Sequence, residues 1–359
     1  MINSIWIKSF RCLSELQFNF IDYSLLPIIA RNNSGKTSIL EACFILGNLK
    51  SFVTNQISQV VPFSKEASYM GIKVEGVKRS DNYYLKIDSI GKKYINLNHR
   101  SVQNKSEIMS LFRSYYISSD SLLLITSSPS FRRSQLDQFI SQFSTSYRHN
   151  LGQYKRLIAQ KNQMLKMSSD FKLFEQLNKQ IAPLIVEIRK ERLFYLKQLE
   201  VFVNNYFNNT QVFDGLVSLE YFSNTLDFNT ESELFERMCM NIKKEKIIKT
   251  TPFGTHRDDF SLKIDGKFLH QYYSRGVCRF VAYFLHLGMV EIIKQKTQLP
   301  ILLLLDEPFS EIHFDIKDNL ISSIPSDYHV IYTTTQSDEI ASLKNQPIYG
   351  IKDGVLCKT

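Results

Sequence analysis

The sequence predicts an α/β protein: a mixed sheet around a phosphate-binding loop, a β-rich lobe beside it, and a helical insertion. Three observations carry this. Residues 25–46 read as a short apolar run, a Gly-Lys-Thr loop, and apolar residues at helical spacing. A second apolar run, Ile301 to Leu305, ends in Asp306 and Glu307, as suits a central parallel strand covered on both faces. Between them, residues 131–208 change to long helical periodicity.

In chain order, "SIWIKSF" and "SELQFNF" alternate apolar and polar residues and predict two strands. "SLLPIIA" leads into the loop, and "SILEACFILGNL" follows as a helix. Residues 69–97 predict three strands, with turns at Asp81-Asn82 and Gly91. Two long helical patterns then meet at "MSSDF", where Ser168, Ser169 or Asp170 could cap the second; Pro183 should kink or interrupt it. A short break between long helices predicts an antiparallel hairpin or arm. Residues 211–250 give one mixed stretch and one helix. The last third returns to a hairpin ("DFSLKIDGKFL"), a helix ("VCRFVAYFLHLGMVEIIKQK") and two strands ("LPILLLLDEPF", "HVIYTTTQ"). The chain thus divides into 1–130, the first part of a nucleotide head, 131–250, a helical arm, and 251–359, the rest of the head.

At 359 residues, 43% hydrophobic and 22% charged, the chain is of globular rather than disordered composition. An excess of 44 Lys+Arg over 35 Asp+Glu, giving +9, favours a polyanionic partner such as nucleic acid. Five widely spaced cysteines form no C-x-x-C pair and read as free thiols of a reducing compartment. With no signal-peptide pattern and no apolar run near the ~20 residues of a membrane span, the expected place is the cytoplasm, with no membrane partner.

The chemistry sits in two places. In Ala30, Arg31, Asn32, Asn33, Ser34, Gly35, Lys36, Thr37 and Ser38, backbone N–H groups and the start of the following helix should attract phosphate oxygens. Lys36 should meet the β/γ-phosphates of ATP and Thr37 should ligate Mg²⁺. Asp306 should hold the same Mg²⁺ through water, and Glu307 should orient the attacking water as general base. Ala30 stands where G-x-x-x-x-G-K-[ST] has its first glycine. If that position requires positive φ, alanine costs about 1–2 kcal/mol, roughly tenfold in affinity.

"SRGVCR", Ser274 to Arg279, resembles the signature loop of ABC-type ATPases; "FSEIH" stands where that class has its D-loop, and "IYTTTQ" where a switch residue follows the next strand. With "SFRCLSELQF", "SGKTSILEA", "SPSFRRSQLDQFI", "YKRLIAQKNQMLK" and "GTHRDDFSLKIDGK", the chain resembles the RecF family of SMC-like ABC-type ATPases nearly end to end. Its departures are Ala30, Arg275, Cys278, His313 and Asp-Glu where the family often has Asp-Asp. The resemblance implies ATP held between two subunits, with Ser274 and Gly276 of one facing the nucleotide of the other. It implies a homodimer that closes on DNA at single/double-strand junctions and reopens on weak, DNA-stimulated hydrolysis, helping RecO and RecR to load RecA. Two other readings stay open: a degenerate ATP- and DNA-binding module with little turnover, motivated by Ala30 and His313, and a different SMC-like ABC-type ATPase. Arg132, Arg133, Lys155 and Lys161 are candidate DNA contacts; solvated helix charges are the alternative.

Overall fold

The computed structural model describes residues 1–359 except 22, 77–79, 168–169, 211–214, 310–319, 337–345 and 359. The first strands are β1 (Ile2–Phe10), β2 (Leu13–Asn19) and β3 (Leu25–Ile29), followed by α1 (Lys36–Asn48). Next come β4 (Ala67–Glu75), β5 (Ser80–Asp88), β6 (Lys93–Leu97), β7 (Arg100–Ser101), α2 (Lys105–Met109) and β8 (Arg113–Ser118). The middle of the chain holds α3 (Pro129–Ser141), α4 (Thr145–Met167), α5 (Phe171–Thr210), β9 (Val217–Phe222) and α6 (Glu231–Ile248). The rest comprises β10 (Asp259–Ile264), β11 (Lys267–Phe268), α7 (Leu269–Tyr272), α8 (Arg275–Thr297), β12 (Ile301–Asp306), β13 (His329–Thr334), β14 (Tyr349–Lys352) and β15 (Val355–Lys358).

The chain forms two compact units, Met1–Leu122 with Val290–Thr359, and Leu123–Met289. This division departs from the sequence boundaries over 123–130 and over 251–289, where β10 pairs with β9.

The first unit has two sheets. One is antiparallel, in the order β2-β1-β4-β5-β6-β7. The other runs β15-β14-β3-β13-β12-β8, with all neighbours parallel except β15 on β14. Alternation in β1 and β4 buries Ile5, Ile7, Met70 and Ile72 against Ile39, Leu40, Cys43 and Leu46 of α1 and Leu302, Leu304 and Ile331 of the parallel strands. All of Ile301 to Leu305 is buried, because β12 is covered on both faces. Parallel β3, β13 and β12 bring the loop after β3 and the acids after β12 to one sheet edge, where α/β sheets place their ligands.

Two expectations for this unit change. Asp81 and Asn82 form no turn; they pair with Val74 and Lys73 inside the sheet. Asn98 permits this, donating to the buried Asp81 carboxylate at 2.7 Å and accepting from the Asn82 N–H at 2.8 Å. Strand β8, which the sequence pattern does not announce, pairs in parallel with β12 and sets Tyr116 opposite Leu304 and Ser118 opposite Asp306.

His329 opens β13 and is 5% exposed, accepting the Ile2 N–H at 3.3 Å. Burial first, and the Met1 ammonium second, lower its pKa to about 4. Unfolded histidine titrates near ~6.5, so between that value and the folded one the unfolded chain takes up a proton that the native state refuses. This part of the stability is whole above the unfolded pKa and is lost as pH falls to the folded one. Urea midpoints measured across that window should fall less steeply for His329→Gln than for the wild type.

In the second unit, the first long helical pattern is two helices, α3 and α4, with Ser128 capping α3 through the Phe131 N–H. Asp170 accepts the Lys172 N–H at 2.9 Å at the start of α5; Ser168 and Ser169 lie outside the described residues. Lys161 reaches Asn178 at 2.7 Å and Leu165 packs on Phe174, so α4 and α5 form the expected antiparallel hairpin. Pro183 does not interrupt α5, which runs unbroken over 40 residues. Burial of Ile181, Ala182 and Ile185 outweighs the missing proline donor. Strand β9, also not foreseen, completes the sheet β11-β10-β9. Contrary to the sequence expectation, α8 is long and apolar enough to cross a membrane, but 83% of its most apolar window is buried, as in a core helix.

Candidate functional site

The loop between β3 and α1 is shaped by two residues in the left-handed region, Asn33 (φ 63°) and Gly35 (φ 105°). A Cβ on Gly35 would lie 2.9 Å from Leu13 Cδ2 and 3.0 Å from Cys12 Sγ, so only glycine fits. Ala30 is not among the positive-φ residues. Its N–H donates to the Thr334 carbonyl at 3.2 Å and its carbonyl accepts from Lys36 Nζ at 2.7 Å. The strain anticipated for an alanine here does not arise. Ala30→Gly should accordingly change nucleotide affinity less than about threefold and lower stability by only about 0.4–1 kcal/mol through the unfolded state. Titration with a nucleotide and urea unfolding check both values.

Lys36 opens α1 and is 6% exposed. Its ammonium also reaches the Arg31 carbonyl at 3.2 Å and pairs with Glu307 Oε1 at 3.1 Å. Thr37 Oγ1 donates to Asp306 Oδ2 at 2.9 Å, although the two residues are 269 positions apart. Asp306 also accepts from Thr333 Oγ1 at 2.7 Å and from Tyr116 OH at 3.1 Å. Burial first, then the Asp306 carboxylate, push the Tyr116 hydroxyl well above its ordinary pKa, keeping it a donor. Its ring stacks on Phe52 with centroids 3.7 Å apart. Glu307 adopts φ 46°, a strained value for its residue type, fixed by its N–H on the Thr333 carbonyl at 3.0 Å. Beneath the loop, buried Glu41 of α1 accepts from Arg11 Nη2 at 2.9 Å and from Ser51 at 2.5 Å, anchoring the helix to the β1–β2 turn.

In a pocket of about 590 Å³, Arg31, Asn32, Asn33, Gly35, Lys36, Thr37 and Ser38 face Asp306 and Glu307, while Ala30 and Ser34 of the same loop are not among its lining residues. Cys12, Tyr116, Ser118, Ser119 and Asp120 also line it and were not singled out from sequence. Of these, Tyr116 and Ser118 gain their meaning only once β8 is known to lie beside β12. The donor set at Thr37 and Asp306 is all oxygen, which suits Mg²⁺ held by one carboxylate, a hydroxyl and phosphate.

Ser274 and Gly276 belong to the second unit, where exposed Ser274 stands just before α8 and accepts the Val277 N–H at 3.4 Å. Cys278 is 3% exposed, so this departure from the family pattern faces the core, not a ligand. His313 lies outside the described residues, as do Ser310 to Ile312.

The second unit also corrects three candidate DNA contacts. Arg132 clasps Asp259 through Nε–Oδ1 at 2.8 Å and Nη2–Oδ2 at 2.6 Å. Arg133 donates to the Asp258 carbonyl at 2.5 Å. Lys161 is wholly buried against Glu245 at 2.7 Å. All three have internal partners, Arg133 only a backbone carbonyl; Lys155, 65% exposed at its side chain, stays at the surface with its ammonium 3.8 Å from Asp137 Oδ2. "HRDD" (256–259) forms a charged junction: Arg192, 2% exposed, bridges Asp137 at 2.8 Å and Asp258 at 2.7 Å. His256 accepts from Tyr154 OH at 2.6 Å and donates to the Thr251 carbonyl at 2.8 Å, and burial lowers its pKa, so it is held neutral.

A family model described as "AAA domain" matches residues 4–251. Among curated proteins, "DNA replication and repair protein RecF" of Exiguobacterium sp. (strain ATCC BAA-1283 / AT1b) is 27% identical over 368 residues, covering 98% of each chain. Its namesake from Limosilactobacillus reuteri (strain DSM 20016) is 28% identical over 371 residues, covering 100% of this chain and 99% of its own. The solved structure of "the recombination mediator protein RecF-ATP in RecFOR pathway" superposes with a TM-score of 0.84 at 24% identity, covering 100% of this chain and 97% of that one. An SMC head bound to the C-winged helix domain of ScpA gives 0.56 at 15% identity, covering 100% and 97%. The fold is that of the ABC-type ATPase heads of RecF and SMC proteins. From its loop after β3 to its full-length likeness to RecF proteins, the chain belongs to the AAA domain family.

Proposed function

We propose that the protein is an ATP-hydrolysing switch of DNA replication and repair, which dimerises on ATP and closes on DNA at junctions of single and double strands. The observation that carries this reading is the meeting of Lys36 with Glu307 and of Thr37 with Asp306 at one pocket. In this reading the loop amides and Lys36 bind the phosphates, and Thr37 and Asp306 hold Mg²⁺. Mg²⁺ supplies neutralisation of developing phosphate charge. Glu307, released from Lys36 when phosphate takes its place, orients water and accepts its proton. Exposed Ser274 and half-buried Gly276 at the start of α8 offer helix N–H groups to the γ-phosphate held by the partner subunit. The relatives named for replication and repair, and the structural neighbour named for the RecFOR pathway, support a cytoplasmic role with RecO and RecR in loading RecA. Net charge of +9 suits contacts with phosphates that ignore sequence.

Sedimentation velocity with ATP, Mg²⁺ and a gapped duplex tests it. The wild type should pass from monomer to DNA-bound dimer, and Lys36→Ala should remain monomeric. A wild type that stays monomeric with ATP would overturn the switch.

A further inference from the structure

The outward face of the antiparallel sheet is a platform of rings and lysines. The register aligns Trp6, Gly71 and Tyr84 across β1, β4 and β5, and Lys8, Tyr69, Lys86 and Tyr94 across β1, β4, β5 and β6. A Cβ on Gly71 would stand 2.4 Å from Trp6 Nε1, so the missing side chain lets the indole lie across β4. There it meets Tyr84, with ring centroids 5.8 Å apart. Lys86 stands between two rings, its Nζ 5.8 Å from the centroid of Tyr69 and 5.4 Å from that of Tyr94. Tyr69, Tyr84 and Tyr94 are 38%, 36% and 42% exposed, large values for rings on a formed sheet.

Carboxylates occur at the margins. Glu15 pairs with Lys8 at 3.2 Å, Asp88 accepts from Tyr94 OH at 3.1 Å beside the β5–β6 turn, and Glu75 takes the Asn3 amide at 3.0 Å. The register places Ser4 and Asn82 beside Lys73, so the middle of the face carries Lys73 and Lys86 among aromatic and neutral polar side chains.

We propose that this face binds a single strand of nucleic acid, its bases stacking on Trp6, Tyr69, Tyr84 and Tyr94 and its phosphates meeting Lys73 and Lys86. Part-exposed rings with cations between them suit an unstacked strand, and every base has a π-face to offer. A duplex hides those faces and would meet only the lysines. Tyrosine and tryptophan are common in protein interfaces but lysine is depleted there, so the lysines set between the rings favour a polyanionic strand over a protein partner. The class of partner rests on the DNA-binding reading above, while the site shares no residue with the nucleotide pocket.

Trp6 is the chain's single tryptophan, so it reports directly on its own face. Titrating the full chain, without nucleotide, with a short oligothymidylate should quench its fluorescence saturably, and added salt should weaken the binding. Tyr69→Ala and Lys86→Ala, at exposed positions, should each leave the unfolding midpoint in place; loss of one stacking ring should weaken binding at least about fivefold. No saturable quenching, or quenching of unchanged affinity in both variants, would overturn the proposal. Phosphate release and binding of a gapped duplex, measured on the same preparations, separate the two readings. If both are lost while quenching persists, the switch fails and the platform stands; the reverse result removes the platform alone.

Discussion

Glu307→Gln should leave ATP binding intact and slow phosphate release by about 10²–10⁴-fold, the range for losing a positioned general base. The substitution keeps the side chain's shape at a position whose φ of 46° is set by the backbone, through the N–H bond to Thr333. It removes the charge that pairs with Lys36 at 3.1 Å. Lys36 then has one competitor fewer for a phosphate oxygen, so nucleotide affinity should hold or rise while the proton acceptor is gone. The expected protein is a dimer that stays closed on DNA. Single-turnover phosphate release beside sedimentation distinguishes this from a binding defect; equal loss of both would mean that Glu307 serves the loop's structure instead.

Arg192→Ala should destabilise the second unit by about 3–5 kcal/mol, the cost of leaving buried charges without their partner. The guanidinium spans Asp137 and Asp258 and donates to the Thr255 carbonyl at 2.8 Å. Tyr147 OH completes the set by donating to Asp137 at 2.6 Å, and Tyr221 OH donates to Asp258. One side chain of α5 therefore ties α3, α4 and β9 to the segment before β10. Arg192→Lys should rescue little, because an ammonium is a point charge and cannot fork between two carboxylates. Urea unfolding at neutral pH reads the loss; a change within about 1 kcal/mol would show that the carboxylates find other partners or protonate.

The same two sites show what sequence could and could not reveal. The strand-loop-helix from Leu25 to Leu46 and the run ending at Asp306 were legible because their patterns are local: five apolar residues before two acids require a strand covered on both faces. Tyr116 was not legible, since its role depends on β8 lying beside β12, a pairing of residues almost 190 apart. "HRDD" could be recognised as a family mark, but its chemistry lies in Arg192, more than sixty residues upstream. The same blindness made Arg132 and Lys161 look like surface cations, because periodicity shows which face a cation occupies and not whether a carboxylate waits there. Pro183 erred in the opposite direction: a strong local signal gave way to the packing of the helix around it.

The most direct measurement is steady-state phosphate release from ATP and Mg²⁺ with a gapped duplex, for the wild type and Lys36→Ala. The wild type should release phosphate, and removing the ammonium proposed to meet the phosphates should cut the rate by about 10²-fold or more, as for other donors aimed at developing charge. Equal rates in the two proteins, or none in the wild type, would contradict a working hydrolytic site and leave the loop as a remnant.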